Sequence, residues 1–367
     1  MEKPFDLKNL MRNFRIYGTP MSCAPYGNGH INDTYEVIFD QSGKLVRYIL
    51  QRINCNIFRD PVGLMENIQR VTAHLSSRNA DSRSSLTLIP TQDGQCFYMD
   101  ENNNCFRCYL FIENATSFDI LENPRQAYEA ARAFGRFQAD LADIPGGRLN
   151  ETIKDFHNTP VRIAQLENAI KLDRCNRAKD VAAEIDFVLS RKESAGKLIA
   201  MQQAGIIPER ITHNDTKLNN VLIDNATGEG ICVIDLDTVM PGLAHYDFGD
   251  MVRTGTSPAA EDEVDLNKIF MRFEYFEALL RGYCSEAGRV LNDAELENLP
   301  FAGALITMEI GTRFLTDYLE GDVYFKTHRG GHNLDRARSQ FQLVRSIESQ
   351  YNEMMNLLNT VRKELKK

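Results

Sequence analysis

The chain has 367 residues, of which 43% are hydrophobic and 25% charged, and a formal net charge of -9. That length suits one large domain or two linked lobes. The acidic balance excludes nonspecific binding to nucleic acid or to an anionic membrane, because a polyanion is repelled without a concentrated basic face.

The residues after Met1 carry no apolar run that would form a signal-peptide core. No stretch approaches the ~18 uninterrupted apolar residues of a membrane span, so a cytoplasmic protein is expected. From about residue 14 to 112 the pattern is mostly that of strands. Tyr35 to Phe39 and Leu45 to Leu50 read as strands, and the turn chemistry between them, Asp40 to Lys44, predicts a hairpin. Just before it, Gly27, Asn28, Gly29 and His30 form a Gly-containing turn entering the first of these strands. Glycines there let backbone N–H groups approach phosphate oxygens with no Cβ in the way. No G-K-[ST] follows, so this is not a Walker loop, and taken alone a plain hairpin turn explains it.

Residues 61–75 place Leu64, Ile68, Val71 and Leu75 at helical spacing. Further strand-like runs cover 86–89, 96–99 and 106–112, with a polar turn from Asp100 to Asn104. Cys105 and Cys108 make a lone C-x-x-C. No second pair completes a tetrahedral site, and positions three apart on a strand face opposite ways, so buried reduced thiols are expected. The eight cysteines are scattered, several in apolar runs such as Ile231 to Ile234 around Cys232, as suits a reducing compartment.

Beyond Glu113 the chain turns helical. Residues 124–142 form an Ala-rich amphipathic helix, and 160 to about 204 one or two helices with a charged face. Strand-like runs at 220–223 and 231–234 interrupt them, and helical patterns resume at 265–284, 293–319 and 335–365. The basic tail, Arg362, Lys363, Lys366 and Lys367, suits a solvated helix end.

The densest chemistry is His213, Asp215, Lys217 and Asn220, an H-x-D-x-K-x-x-N pattern directly before a strand, with Asp235 delivered by the next strand. Phosphoryl transfer from ATP needs a carboxylate to orient the acceptor hydroxyl and take its proton. Asp215 suits that task. It also needs hard oxygen donors for Mg²⁺, for which Asn220 and Asp235 suit, and a cation over the transferring group, for which Lys217 suits. A lone H-x-D is more often an ordinary turn; the combined pattern is much rarer.

These residues, continued through Asp235-Leu236-Asp237-Thr238 and His245-Tyr246-Asp247-Phe248-Gly249-Asp250, resemble the aminoglycoside/choline phosphotransferase family. The resemblance implies an α+β, two-lobed protein-kinase-like fold. A nucleotide-binding lobe, 1–112, would hold a small antiparallel sheet and one main helix. A larger helical lobe, 113–367, would hold the catalytic loop and acceptor site. Mg²⁺ and ATP are implied, with Asp235 as metal ligand and His213 and Asp247 as loop supports. Gly27, Asn28 and Gly29 would cover the phosphates, and Glu113 in the connector would join the nucleotide site. Such folds carry a cation on the strand after the hairpin, paired with a helix carboxylate; here Arg52 and Glu66 are expected, with an inconsequential surface pair as the alternative.

The chain is similar in more detail to the N-acetylhexosamine 1-kinases, through Tyr48 to Asn54, 213–220, 231–250 and 312–325. That resemblance implies that His30, Arg313 and Tyr324 contact a sugar substrate, phosphorylated at its anomeric hydroxyl, in a monomer or weak dimer. The subgroup has a Trp in its sugar site, whereas this chain has none. From spacing alone, Arg313 reads as a helix-surface partner of Glu309. Choline-like amines, aminoglycosides and other sugars are alternative acceptors, and a nucleotide-binding module without catalysis is the alternative from another class.

Overall fold

The computed structural model describes residues 6–27, 31–118 and 120–366. Five strands, β1 (Thr19–Pro25), β2 (Asp33–Gln41), β3 (Lys44–Ile53), β4 (Tyr98–Met99) and β5 (Cys105–Leu110), form one antiparallel sheet in the order β1-β2-β3-β5-β4. The expected β2–β3 hairpin is present. Its tip, Ser42 and Gly43, has positive φ at both residues (58° and 84°), the turn whose twist matches the strands it joins.

Alternation along the strands separates two faces. Val37, Phe39, Tyr48, Leu50, Phe106 and Cys108 pack against Leu10, Met11 and Phe14. The opposite face, including Ile53, Cys105 and Tyr109, packs on Leu64, Met65 and Ile68 of the Pro61–Arg78 helix. Cys105 and Cys108 therefore enter different cores as free thiols. The Pro61–Arg78 helix starts where the sequence supplies both a cap and a proline. Asp60 accepts from the Gly63 N–H and Pro61 opens the first turn, where its missing N–H costs nothing. Asn123 with Pro124, and Asn158 ahead of Pro160, repeat the device at the Pro124–Asp140 and Thr159–Leu172 helices. Each cap contributes about 1 kcal/mol.

Two expected strands shrink: 86–89 is reduced to a bridge between Leu88 and Tyr109, and 96–99 to β4. After the connector, β6 (Ala115–Thr116), β8 (Val221–Asp224) and β9 (Gly230–Val233) form a three-stranded sheet, while β7 (Arg210–Thr212) pairs with β10 (Met240–Gly242). Residues 213–220 thus bridge β7 to β8, and 234–239 bridge β9 to β10, which brings the two polar segments side by side.

The remainder is helical. Helices Pro124–Asp140 and Phe273–Ala287 touch backbone to backbone. A Cβ on Gly135 would sit 2.5 Å from the Tyr283 carbonyl oxygen, and one on Gly282 would sit 2.2 Å from that of Tyr128. The stretch expected as one or two helices over 160–204 breaks into Thr159–Leu172, Ala182–Leu189, Lys192–Ala195 and Lys197–Gln203, because Asp173 turns left-handed at the first helix end. The 293–319 pattern splits into Asp293–Glu297 and Leu299–Glu320, since Pro300 can stand only in a first turn. The last pattern breaks at Gln350 into His332–Ser349 and Tyr351–Leu365. Among the described residues no helix is long and apolar enough to cross a membrane.

Candidate active site

Residues 213–220 are held by a dense set of hydrogen bonds. The Asp247 carboxylate, buried in the Ala244–Gly255 helix, accepts the N–H groups of His213 (2.9 Å) and Asn214 (2.7 Å). The Asp247 carbonyl accepts the Thr216 hydroxyl at 2.6 Å. Burial pushes the Asp247 carboxyl up to about 6, with His213 and the two donated N–H groups restraining the rise. His213 is fully buried, edge-on to Phe134 and Phe137 at 5.4 and 5.9 Å. Its Nε2 lies 2.9 Å from the Ile234 carbonyl and must donate there, which leaves Nδ1 to accept the Asp215 N–H at 3.4 Å. Both residues are occupied as loop supports.

Asn214 adopts φ +65°, unusual for a side-chain-bearing residue, and its amide is anchored to the carbonyls of Thr212 and Thr238. The strained residue presents Asp215 at the apex. Lys217 Nζ lies 3.2 Å from Asp215 Oδ1, and both side chains reach solvent. Loss of hydration disfavours the Asp215 charge, but Lys217 and then His213 outweigh it, so the carboxyl sits below its ordinary range. Asp215 in turn raises Lys217.

Asn220 Nδ2 donates to the Asp215 carbonyl at 2.9 Å, and the Asn220 carbonyl accepts the Ile234 N–H at 2.9 Å. These bonds join residues 213–220 to the segment carrying Asp235. Asp235 is itself left-handed, with φ 58° and ψ 59°. Asp235 is exposed as a residue. The surrounding protein, then Asp237, then Asp215, push the Asp235 carboxyl up to about 6. Asp215, Asn220 and Asp235 therefore stand together.

Asp237, two residues on, is spoken for. It accepts from Asn32 Nδ2 at 2.5 Å and pairs with Arg107, which is 1% exposed. Arg107 Nε donates to Gln51 Oε1 at 2.9 Å, and Gln51 donates to Thr34 at 3.0 Å. This buried strut ties β2, β3 and β5 to the segment beside Asp235. Arg107 is the interior cation of the sheet, and it was not among the residues expected from sequence. The available signal was a lone charge in the otherwise uncharged strand Cys105–Leu110.

The expected Arg52–Glu66 pair is corrected. Arg52 lies opposite Asp33 in the β2–β3 register and binds its carboxylate at 2.6–2.7 Å. Glu66 accepts from Asn150 at 3.0 Å. The reason is alternation: Arg52 shares a face with Tyr48 and Leu50, which is the face covered by the N-terminal segment, away from the Pro61–Arg78 helix. Glu113 is taken by Arg47, whose guanidinium also stacks over Phe111 at 3.7 Å. Gly27 has φ +75° with open space where a Cβ would stand, so its conformation rather than crowding favours glycine. Asn28, Gly29 and His30 lie outside the described residues.

Arg313 does not pair with Glu309. The Glu309 carboxylate is held by His157 (2.7 Å) and Thr159 (2.6 Å). Arg313 has no hydrogen-bond or ion-pair partner among the described residues. Its guanidinium lies 5.5–5.9 Å from the rings of Phe156, Tyr324 and Phe325. The buried Asp317 carboxylate fixes that wall by accepting the N–H groups of Val323, Tyr324 and Phe325. Tyr324 itself is 66% exposed. A separate cavity of about 270 Å³ opens behind the loop, lined by Arg148, His157, Asn214 and Gly242 but by none of Asp215, Asn220 and Asp235.

A small antiparallel sheet with one main helix, a larger helical part and a polar loop running between two short sheets define a small-molecule phosphotransferase with the two-lobed kinase-like fold. The profile of the phosphotransferase enzyme family matches residues 22–290, and the chain belongs to that family. Solved structures with the same fold include an aminoglycoside phosphotransferase from Alicyclobacillus acidocaldarius, at 11% identity over 100% of this chain and 98% of that one, with a TM-score of 0.58. A microcompartment-associated aminopropanol kinase matches at 16% identity over 95% and 98% of the two chains (TM-score 0.56). A spectinomycin phosphotransferase solved with ADP and spectinomycin matches at 13% identity over 96% and 100% (TM-score 0.55).

Proposed function

We propose that this protein transfers the γ-phosphoryl group of ATP to the anomeric hydroxyl of an N-acetylhexosamine, giving the sugar 1-phosphate. The division of labour follows the connector, with nucleotide handled by residues 1–112 and acceptor by 113–367. Asp215 orients the C1 hydroxyl and takes its proton as the new O–P bond forms and the bond to the ADP leaving group breaks. Lys217 offsets charge on the transferring group. By resemblance, Gly27, Asn28 and Gly29 would cover the phosphates, and Glu113, whose carboxylate Arg47 holds, would join the nucleotide site.

Asn220 and Asp235 would hold Mg²⁺, which when bound neutralises charge between adjacent phosphates. The residues fit it. Both offer hard oxygens, and Asn220 spends its Nδ2 on the loop, leaving Oδ1 for a cation. Asp235 stands among carboxylates whose repulsion a cation relieves. Mg²⁺ needs only one or two protein oxygens when phosphates supply others.

This reading has a pH signature. A carboxyl raised to about 6 is protonated below that pH, so metal must displace a proton there. The thermal shift given by Mg²⁺ with a non-hydrolysable ATP analogue should therefore shrink from pH 7.5 to pH 5.5. Asp235→Asn should show little shift at either pH. Without ligand the sign reverses: the raised carboxyl favours the fold at low pH, and that contribution fades as pH rises through about 6.

Arg313 carries the acceptor assignment. A guanidinium without a carboxylate partner among the described residues, ringed by Phe156, Tyr324 and Phe325, suits a neutral ligand rich in carbonyl and hydroxyl oxygens. It disfavours the cationic amines named for the aminopropanol kinase and aminoglycoside phosphotransferase. His30, by resemblance, would approach the same sugar. ATP consumption should be fastest with N-acetylglucosamine or N-acetylgalactosamine across a panel of hexoses, choline and aminoglycosides, and the product should lose its reducing end. Arg313→Ala should weaken acceptor use by about 1.5–3 kcal/mol, roughly 10- to 150-fold in kcat/KM. Preferred turnover of an amine, unaffected by Arg313→Ala, would replace this reading with an amino-alcohol kinase.

A further inference from the structure

Glu309 is a fully buried carboxylate in the middle of the Leu299–Glu320 helix. A buried charge is costly unless it is paired and hydrogen-bonded, and even a paired one contributes little stability over apolar residues of the same size. Stability alone is thus a weak reason for this one. Its contacts suggest another. One oxygen is 2.7 Å from His157 Nδ1, and the other accepts the Thr159 hydroxyl at 2.6 Å.

His157, 6% exposed, has its second nitrogen, Nε2, 2.9 Å from the carbonyl oxygen of Asn214. A carbonyl can only accept, so Nε2 carries a hydrogen. The anionic oxygen opposite Nδ1 calls for a second. The ring is therefore an imidazolium donating at both ends, between a carboxylate and one catalytic-loop carbonyl. That carbonyl belongs to the peptide joining Asn214 to Asp215. The N–H of the same peptide points to His213 Nδ1 at 3.4 Å. The peptide plane is held at its oxygen by His157 and at its nitrogen by His213. Turning that plane would swing the Asp215 side chain. Asp247 cannot substitute, because it binds the two preceding N–H groups and leaves this plane free to turn.

The same helix carries Arg313 one turn beyond Glu309, and Arg313 lies over Phe156, the residue before His157. The acceptor wall and the loop anchor thus meet in a single two-residue segment.

We infer that His157 and Glu309 are positioning residues: together they fix the Asn214–Asp215 peptide and so aim the Asp215 carboxylate at the acceptor hydroxyl. The inference rests on Asp215 acting as proposed above. Both side chains are buried and are spent on each other and on the loop, so their effect should appear in turnover rather than in binding.

The test compares His157→Phe, which keeps a ring and loses both hydrogen bonds, with His157→Gln, whose amide N–H can reach the Asn214 carbonyl. Steady-state kinetics would use MgATP and the best acceptor for the wild-type chain. His157→Phe should lower kcat by about 10- to 100-fold, the scale of a small misalignment, with both KM values within about twofold. His157→Gln should recover most of that loss. Equal losses in the two variants, unchanged kcat in His157→Phe, or a rise in the KM for ATP matching the fall in kcat would each overturn the inference. Should His157→Phe not fold, Glu309→Gln takes its place: it keeps an acceptor for Nδ1–H but removes the charge. A lowered kcat at constant KM would support the inference, and an unchanged kcat would overturn it. Wild-type chain that transfers phosphate to no acceptor would instead overturn the functional reading itself.

Discussion

Asp215→Asn should fold, bind nucleotide and turn over about 10²- to 10⁴-fold more slowly than wild type, the range for loss of a positioned acid–base group. The expectation that folding survives comes from the side chain's surroundings. The loop is built by Asp247, Asn214, Thr216 and Asn220, whereas the Asp215 carboxylate has Lys217 as its ion-pair partner, at 3.2 Å with both groups partly in solvent. Such half-exposed pairs contribute about 0–1 kcal/mol. Melting temperature and nucleotide affinity should therefore stay close to wild type while kcat collapses. Near-normal turnover would remove Asp215 from the mechanism.

Arg107→Ala should be the most damaging single change to stability. It empties a fully buried site and strands the Asp237 carboxylate, which is 3% exposed. Breaking a buried pair by removing one partner costs about 3–5 kcal/mol. Asp237 also holds Asn32, which follows the segment proposed to cover the phosphates, so the KM for ATP should rise as well. The control is the double variant Arg107→Met with Asp237→Leu, which removes both charges and retains much of the buried volume. Chemical denaturation should show it losing much less stability than Arg107→Ala alone. Equal losses would mean that the ion pair and its hydrogen bonds, which both variants lose, dominate rather than the stranded charge.

The difference between Arg107 and Arg52 shows what was legible in the sequence. Patterns that depend on neighbours along the chain were readable: the β2–β3 hairpin from the turn residues Ser42 and Gly43, and the helices that begin at Pro61 and Pro124. Arg52 stands on the strand where a cation was expected, on the face of Tyr48 and Leu50. Which face points to the Pro61–Arg78 helix is set by what packs against each side, and that is a long-range fact. Arg107 answers a partner 130 positions away, Asp237, and no local spacing announces it.

Arg313 and Glu309 make the same point on a helix. Their four-residue spacing permits a surface pair, yet Glu309 faces inward, where His157 and Thr159 reach it across about 150 positions. Helix interruptions at Asn298 and Gln350 were missed for a simpler reason. Apolar periodicity continues across a one-residue break, so the pattern alone reads as one long helix.

The most direct test is a crystal structure of the chain with Mg²⁺ and a non-hydrolysable ATP analogue. The cation should bind the side-chain oxygens of Asn220 and Asp235 at about 2.0–2.1 Å, with the terminal phosphate turned toward Asp215 and an acceptor-sized space between Asp215 and Arg313. Nucleotide bound elsewhere, or a cation that touches neither Asn220 nor Asp235, would contradict the proposed chemistry at its root.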